Sequence, residues 1–374
     1  LGSLMTLTPY PDTMEEFEHE DLTPELKDHI KTAFTATLGF PPRPIQCLAV
    51  FLVAFLGLTT LLVSGTGTGK TAVMQITSIL LGGITIVIVP LNGLGSDQKN
   101  RANAATNKIE AYHFDSIKNP KEQQRLCKYL LSDEVKGKSI ILFASPQHLD
   151  NNIWAKLIHE CINQEKITSL FVDEAHAVVM AGKTYRDEFL RLWKNLFQHL
   201  PSDTPICGMT ATLTEPVLAD LESILGIKFD RPLIWSDAML KRRNINLILS
   251  YKSQTLTRIK QSVKKHLSIK TRHIFVYCNT AARSTGAVRE CLVEVLAKEE
   301  IRGDVLVLNG RCGDDEKAYL IELLTMKKEE HPCYESKEHE YMMKYNPIII
   351  ILTNAADMGI DDDRCGLVAM DGVC

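Results

Sequence analysis

The sequence predicts an α/β protein made of two tandem, doubly wound parallel sheets. Short apolar segments of strand character alternate with segments of helical periodicity along the 374-residue chain, which is the pattern of a parallel sheet covered by helices on both faces. A glycine-rich segment joins the first strand to a helix, and an acidic pair ends a later strand. Both features lie where parallel α/β sheets bind ligands, at the carboxyl ends of the strands.

The first domain is predicted over residues 1–227. The acidic stretch 12–28 is expected to be a solvated lead-in and a first helix, and the apolar stretch 47–62 a core helix that runs into the first strand. Strands are predicted at 61–63, 85–89, 140–144, 170–172 and 206–209, with helical segments between them.

A polar, proline-containing stretch at 228–244 predicts a linker, and the alternation then resumes in a second domain over 245–374. The charged segment 326–345 has no periodicity and is expected to be a surface insertion. The strands of the second domain are predicted at 245–249, 273–277, 305–308, 348–352 and 366–370.

Composition indicates a soluble, globular, intracellular protein and leaves its partner open. Hydrophobic residues make up 45% of the chain and charged residues 24%, with a net charge of −4, so any basic surface for nucleic acid would be local. No apolar run is long enough to cross a bilayer and no signal segment begins the chain, so no membrane partner is expected. The ten cysteines contain no C-x-x-C pair, so we expect reduced thiols and no zinc site.

The segment from Ser64 to Thr71 predicts a phosphate-binding loop. Its sequence, S-G-T-G-T-G-K-T, follows an apolar strand and opens a helix, so successive backbone N–H groups can surround a phosphate at the positive end of that helix. Lys70 is expected to reach the β- and γ-phosphates, and the hydroxyl of Thr71 to bind Mg²⁺. Ser64 stands where the strict motif has glycine, so the match is to a variant of it.

An acidic motif, D-E-A-H, begins at Asp173 directly after the predicted strand 170–172. An acidic side chain at the carboxyl end of a strand, on the same sheet as the phosphate loop, can hold Mg²⁺ through water. Glu174 would then orient or deprotonate the attacking water. The loop and the acidic pair together predict ATP hydrolysis, with Lys70, Asp173, Glu174 and His176 as the catalytic groups.

The order and spacing of these motifs resemble the superfamily-two helicases, and among them the RecQ-like DNA helicases. Residues 43–46 are similar to the family's R-P-x-Q element, whose glutamine binds the adenine edge because an amide both donates and accepts. The resemblance implies two RecA-like domains of a P-loop NTPase helicase core, the second one incomplete, with ATP and Mg²⁺ at the cleft between them. It implies nucleotide ligands at Arg43, Gln46, Thr66, Gly67, Thr68, Gly69, Lys70 and Thr71, with Thr71 and Asp173 at the metal.

Four further segments resemble motifs that contact DNA in this family. Residues 90–98 resemble P-L-x-x-L-x-x-D-Q, and 145–147 lie where the family has T-P-E. In the second domain, 277–280 resemble Y-C-N-S, and 353–361 resemble A-T-x-A-F-G-M-G-I-D. The implied partner is DNA, single-stranded or at a duplex junction. The residues implied to contact it are Pro90, Asp97, Gln98, Ser145, Pro146, Asn279, Thr280, Arg283 and Thr353.

Two segments resemble coupling motifs of the family, of which the first couples the nucleotide site to the second domain and the second links DNA binding to hydrolysis. The first is T-A-T, at Thr210, Ala211 and Thr212. The second is the aromatic-rich loop after D-E-A-H, where Tyr185 and Arg186 fit the family pattern. There Ala181 replaces a tryptophan and Lys183 a histidine, so we expect a reduced base-stacking platform.

Two features at the ends of the sequence also depart from the family. The motif Q-x-x-G-R-A-G-R, which supplies the arginine finger, is not found before Cys374, and the chain begins with Leu1. These features lead us to expect a fragment or the product of a decayed gene copy, one that binds ATP but turns it over weakly.

The sequence therefore predicts an ATP-dependent DNA helicase or translocase of RecQ type. The resemblance implies 3′-to-5′ polarity, a role in DNA repair and recombination, and a nuclear location in a eukaryote. Two alternatives stay open. Residues 39–46 partly resemble the G-F-x-x-P-T-P-I-Q of D-E-A-D/H-box RNA helicases. A non-enzyme alternative is an ATP-gated clamp that binds nucleic acid without turnover.

Overall fold

The computed structural model divides into two compact units, 1–244 and 245–374. The predicted strand 245–249, the predicted insertion 326–345 and the motif residues 354–361 lie outside the residues that the structure describes. The described residues are 22–65, 67–89, 92–150, 152–182, 187–234, 255–267, 273–278, 280–300, 304–309, 311–313, 348–353 and 365–371.

The first unit is built on a seven-stranded sheet in which every pair is parallel, as the sequence predicts. Its strands are β1 (Thr60–Val63), β2 (Gly83–Ile88), β3 (Ile109–His113), β4 (Ser139–Ala144), β5 (Ile167–Val172), β6 (Ile206–Thr210) and β7 (Arg231–Ile234). Their order is β3-β4-β2-β5-β6-β1-β7, so β1 and β5, which precede the phosphate loop and the acidic motif, flank β6.

Helices cover both faces of this sheet. They are α1 (Pro24–Leu38), α2 (Pro44–Val50), α3 (Lys70–Leu81), α4 (Asn92–Ala105), α5 (Pro120–Leu131), α6 (Pro146–Leu149), α7 (Asn152–Asn163), α8 (His176–Gly182), α9 (Asp187–Leu190), α10 (Leu192–Asn195) and α11 (Glu215–Leu225). Ile86 and Val87 are successive residues of β2, yet they belong to separate apolar clusters. Because side chains alternate between the two faces of a strand, each cluster is the core on one side of the sheet.

Three parts of the first unit differ from the sequence-based expectation. The edge strand β3 was not predicted, because its residues are alternately buried and half-buried rather than continuously apolar. The strand β7, which lies within the predicted linker, pairs with β1. Asp230 also donates its N–H to the carbonyl of Thr59, at 2.8 Å, so 228–234 belong to the first unit and the predicted linker is wrong for these residues.

The predicted single helix over 47–62 is also interrupted. The helix α2 continues as a π-helical turn, Phe51–Phe55. Leu58 N–H then donates to the carbonyl of Leu52 at 2.9 Å. Gly57 has φ +65°, a left-handed conformation that glycine adopts easily. The helix therefore ends before the chain enters β1.

The second unit contains a four-stranded parallel sheet in the order β11-β8-β10-β9. Its elements are α12 (Thr255–Leu267), β8 (His273–Cys278), α13 (Ala281–Thr285), α14 (Ala287–Lys298), β9 (Asp304–Leu308), β10 (Ile348–Thr353) and β11 (Cys365–Asp371). Ile349 and Ile350 contribute to apolar clusters on opposite faces. Among the described residues of the whole chain, none of the helices has the length and apolar character needed to cross a membrane.

The close packing of β6 against β1 generates a test of the first core. A methyl group on Gly208 would lie 2.7 Å from Leu61 Cδ1 and 3.3 Å from ring carbons of Phe229. Leu61 is fully buried and cannot move aside freely. We expect Gly208→Ala to lower the free energy of unfolding by about 1–3 kcal/mol, the usual effect of overpacking.

Urea denaturation monitored by circular dichroism measures this change. The matched control is Gly65→Ala, because its methyl group would make only an ordinary contact, 3.8 Å from Thr68. Equal midpoints for the two variants would contradict the packing described for β6.

Candidate active site at the carboxyl edge of the first sheet

Backbone hydrogen bonds bring three of the sequence motifs to one edge of the first sheet. Ser64 N–H, at the start of the phosphate loop, donates to the carbonyl of Thr210 at 3.0 Å. Two residues of the acidic motif donate to the strands beside it: Asp173 N–H to Ile88 O at 2.9 Å, and Ala175 N–H to Met209 O at 2.8 Å. The carboxyl edge is where open parallel sheets bind ligands.

The phosphate loop is closed by contacts of its own side chains. Gly67 and Gly69 have φ +77° and +86°, which lets the chain turn tightly before α3. The Thr68 hydroxyl donates to Gly65 O at 2.7 Å. Lys70 Nζ reaches back across the loop and donates to Ser64 O at 2.9 Å. The predicted ligand Thr66 lies outside the described residues.

Gln46 is bound to this loop rather than open to a base. Its amide nitrogen donates to Thr68 O at 3.2 Å and to Gly69 O at 3.0 Å, and its Oε1 accepts from Arg43 N–H at 2.7 Å. Arg43 also donates to Thr68 O through its guanidinium, at 3.4 Å. Since both amide protons of Gln46 are used, only the second lone pair of Oε1 is left for adenine. The expectation that this amide both donates to and accepts from the base is corrected to that extent.

Asp173 is a buried carboxylate held by donated hydrogen bonds. One oxygen accepts from Glu174 N–H at 3.0 Å, and the other accepts from the amide nitrogen of Gln98. Burial raises the pKa of Asp173, while the two hydrogen bonds and the charge of Lys70 act in the opposite direction. Gln98 was predicted to contact DNA. The structure places its amide beside the acidic motif, because α4 follows β2 and β2 lies beside β5.

Glu174 and His176 connect the acidic motif to Thr210. Burial raises the pKa of Glu174, the charge of Asp173 raises it further, and Lys70 lowers it. His176 Nδ1 lies 2.8 Å from Thr210 Oγ1 and 3.5 Å from Glu174 Oε2. The Thr210 hydroxyl donates its single proton to Thr212 O at 2.9 Å, so His176 Nδ1 must be the donor to Thr210. Burial, followed by the charge of Lys70, lowers the pKa of His176 and favours the neutral ring.

The oxygen atoms of Asp173 and Thr71 at this edge of the sheet are suitable ligands for Mg²⁺. Asp173 provides a buried carboxylate, and Thr71 is the second residue of α3. Among the described residues there is no group of three or more His, Cys, Asp or Glu side chains that could hold a metal. Mg²⁺ is usually bound by one or two carboxylates together with phosphate oxygens and water, so a site with few protein ligands suits it.

The side chains of Ser145 and Pro146 are buried, contrary to the prediction that they contact DNA. The N–H of Ser145 donates to His148 Nδ1 at 2.9 Å, and its hydroxyl lies 3.0 Å from the same nitrogen, which caps α6. His148 Nε2 lies 2.8 Å from Asp115 Oδ1. The capping interaction turns Ser145 inward, and within 145–147 only Gln147 is exposed.

In the second unit the structure describes two of the predicted DNA-contact side chains. Thr280 is exposed just before α13, whereas Thr353 is buried at the end of β10. Burial of Thr353 follows from its parallel pairing with Cys278 in the middle of the sheet. The remaining predicted contacts and coupling residues lie outside the described side chains and stay predictions: Pro90, Asp97, Tyr185, Arg186, Asn279 and Arg283.

Comparison with known proteins agrees with this site. A family model described as DEAD/DEAH box helicase matches residues 43–221. The ATP-dependent DNA helicase RecQ of Haemophilus influenzae is 30% identical over 231 residues, which cover 62% of this chain and 34% of that protein. A putative ATP-dependent DNA helicase Q1 of Caenorhabditis briggsae is 26% identical over 328 residues, 85% of this chain and 46% of that protein. A solved structure of the DEAD-box helicase Mss116 bound to ssRNA and UDP-BeF has a TM-score of 0.63 at 13% identity, covering 98% of this chain and 70% of that one.

Residues 43–221 thus match the model of a helicase family that uses ATP. The relatives named above are RecQ-type DNA helicases, so these comparisons agree with the resemblance stated from the motifs. The likeness to Mss116 shows the fold, which is that of RecA-like helicase cores. The chain spans about a third of the length of the first RecQ relatives that it matches.

The burial of Asp173 has a consequence for stability. Its pKa is raised in the folded chain, so burial of Asp173 costs no stability below the pKa that it has in the unfolded chain. The cost grows as pH rises above that value and reaches its full size above the raised folded pKa. We expect Asp173→Asn to raise the thermal unfolding midpoint at neutral pH in the absence of Mg²⁺. The gain should shrink as pH falls toward about 4, the ordinary range of an aspartate.

Calorimetry or circular dichroism at several pH values checks this expectation. The exposed Asp203→Asn is the control and should leave the midpoint unchanged at every pH. A lower midpoint for Asp173→Asn at neutral pH would show that the carboxylate stabilises the free protein.

Proposed function

We propose that the chain is an ATP-dependent DNA helicase or translocase of RecQ type, with 3′-to-5′ polarity. The observation that carries the proposal is the meeting of the phosphate loop with Asp173 and Glu174 at one edge of a parallel sheet. The two carboxylates have raised pKa values, and both are influenced by Lys70. The names of the RecQ relatives support DNA as the nucleic acid.

Different residues at this edge would bind the phosphates and hold the metal ion during ATP hydrolysis. Backbone N–H groups at the start of α3 bind the phosphates, and Lys70 exchanges its contact with Ser64 O for a phosphate oxygen. Bound Mg²⁺ supplies positive charge that offsets the charge developing on the phosphates. Asp173 and the hydroxyl of Thr71 are the groups that would hold it.

Glu174 is the proposed acceptor of a proton from the attacking water. Burial and the charge of Asp173 raise the pKa of Glu174 toward neutral pH, and a general base is most effective when its pKa is close to the working pH. His176 lies between Glu174 and Thr210, and Thr210 is tied to Thr212 in the T-A-T segment. We propose that this chain of contacts passes the state of the nucleotide to the rest of the protein.

The nucleic-acid contacts belong to the same proposal. Gln147 is exposed beside the capped Ser145, and Thr280 is exposed in the second unit, so both are available to a strand. Roles in DNA repair and recombination, and a nuclear location in a eukaryote, rest on the family of the relatives and are proposed with the DNA activity.

Steady-state ATP hydrolysis with and without single-stranded DNA tests the function. We expect slow turnover that DNA stimulates only weakly, because Ala181 in place of a tryptophan reduces the base-stacking platform. Glu174→Gln should lower turnover by a further factor of about 10² or more, because it removes the general base. Lys70→Ala should lose ATP binding while keeping the circular dichroism spectrum of the folded chain, since Lys70 is the half-buried first residue of α3 and its ammonium contacts the loop carbonyl of Ser64 rather than the core.

Each alternative has its own outcome in this assay. Stimulation by single-stranded RNA in place of DNA would favour an RNA helicase, and nucleotide binding without turnover would favour a clamp. Unwinding of duplexes with a 3′ or a 5′ tail measures polarity, and activity on the 5′-tailed duplex alone would contradict the RecQ assignment.

A separate prediction concerns Gln46, which contacts the loop and is the proposed ligand of the adenine edge. We expect Gln46→Ala to weaken ATP binding by about 1–3 kcal/mol, because it leaves buried polar groups unpaired. GTP binding should also weaken, since the loop loses its support, but by less, so the preference for ATP shrinks.

Competition binding of ATP and GTP measures both effects, with the exposed Gln164→Ala as a control. Equal affinities for ATP and GTP in the wild-type chain would contradict the adenine role. Unchanged affinities in Gln46→Ala would contradict the supporting role.

A further inference from the structure

Gln98 touches the proposed metal carboxylate from an element that carries none of the nucleotide-binding motifs. It lies in the middle of α4, which follows β2. The strand β2 pairs with β5, and Asp173 N–H donates to Ile88 O at the end of β2. Gln98 Nε2 donates to Asp173 Oδ2, so α4 reaches the acidic motif through this side chain.

The amide oxygen of Gln98 also lies in this buried site beside Asp173. This atom, Oε1, is buried and has no hydrogen-bond partner among the described residues. The structure points Nε2 toward Asp173 Oδ2, which is the orientation that an ionised carboxylate requires because it only accepts. A buried acceptor without a partner costs about 1–3 kcal/mol, and such a group in a native structure calls for an explanation.

The helix that carries Gln98 is anchored independently of the site. Asn103, five residues further along α4, accepts from Ala111 N–H at 2.9 Å and donates to Ala111 O at 3.1 Å. This pair of bonds fastens α4 to β3, and Ala102 is fully buried beside it. The reach of Gln98 toward Asp173 is therefore set by the fold.

We propose that Gln98 is a positioning residue of the Mg²⁺ site. One end of its amide holds Asp173, and the other end, Oε1, accepts a hydrogen bond from a water molecule on the bound ion. This inference rests on the proposed function, in which Mg²⁺ and a nucleotide bind at this edge.

An uncharged amide suits this position better than an acid would. Asp173 and Glu174 already place two carboxylates here, and each raises the cost of ionising another. An amide supplies a donor for the carboxylate and an acceptor for the water without adding charge. Groups that orient a metal ligand in this way typically change metal affinity or activity by about 10–100-fold when they are removed.

The test measures nucleotide binding by the full chain, not turnover. A fluorescent ATP analogue is titrated in EDTA and at increasing Mg²⁺ for wild type, Gln98→Met and Gln98→Ala. Both variants remove the amide, the first with little change in length. The matched control is Gln123→Met, whose half-buried amide donates to Ile117 O at 2.9 Å.

We expect the Mg²⁺ concentration for half-maximal enhancement of binding to rise by about 10-fold or more in both Gln98 variants. Affinity in EDTA should stay within about 2-fold of wild type, since the phosphate loop is untouched, and Gln123→Met should match wild type throughout. An unchanged Mg²⁺ requirement in a folded Gln98 variant would overturn the proposal. Equal losses with and without Mg²⁺ would also overturn it, because they would show a structural role only.

Failure of the proposed function has a different signature. In that case the wild-type chain would show no Mg²⁺-dependent binding, or Lys70→Ala would bind the analogue as tightly as wild type. Should Gln98→Met fail to fold, Gln98→Ala, which adds no bulk, decides the question.

Discussion

Parallel pairing of the strands sets the position of every group in the candidate site. The N–H groups of Ser64, Asp173 and Ala175 donate to carbonyls at the ends of neighbouring strands, one bond each. Since these are backbone bonds in a buried sheet, a shift of one residue would turn every side chain of a strand to the opposite face, away from the core that it fits. The loop, the acidic motif and the T-A-T segment are therefore aligned by the same forces that build the core.

The buried carboxylate of Asp173 lowers the stability of the free protein but favours the binding of a cation. Asp173 is 8% exposed, and burial raises its pKa, while the hydrogen bonds from Gln98 and from the N–H of Glu174 and the charge of Lys70 act in the opposite direction. Such an arrangement leaves the free protein short of positive charge and so favours the binding of a cation. Active sites commonly hold groups whose pKa values are displaced in this way.

How much could be predicted from the sequence depended on whether a signal was local. The phosphate loop and D-E-A-H were recognised because strand, turn and helix follow one another within a few residues, and the fully apolar β4 was recognised by composition. The half-buried edge strand β3 has no such signature. The hydrogen bonds of Gln98 and Ser145 depend on residues at other points of the chain. Gln98 contacts Asp173, and Ser145 contacts His148, which in turn contacts Asp115. Such contacts leave no local signal, so motif resemblance alone led to the prediction that both residues contact DNA.

The contact between Gln46 and Gly69 ties together two positions that are distant in the sequence. Gly69 has a left-handed backbone, and a Cβ there would collide with Gln46 Nε2. A larger residue at 69 is therefore excluded twice, by the conformation of the chain and by the amide that fills the space beside it. Shortening the side chain at 46 would remove the second obstacle and leave the first. Any change at position 46 therefore takes hydrogen bonds from the loop, and position 69 has room only for glycine while Gln46 is present.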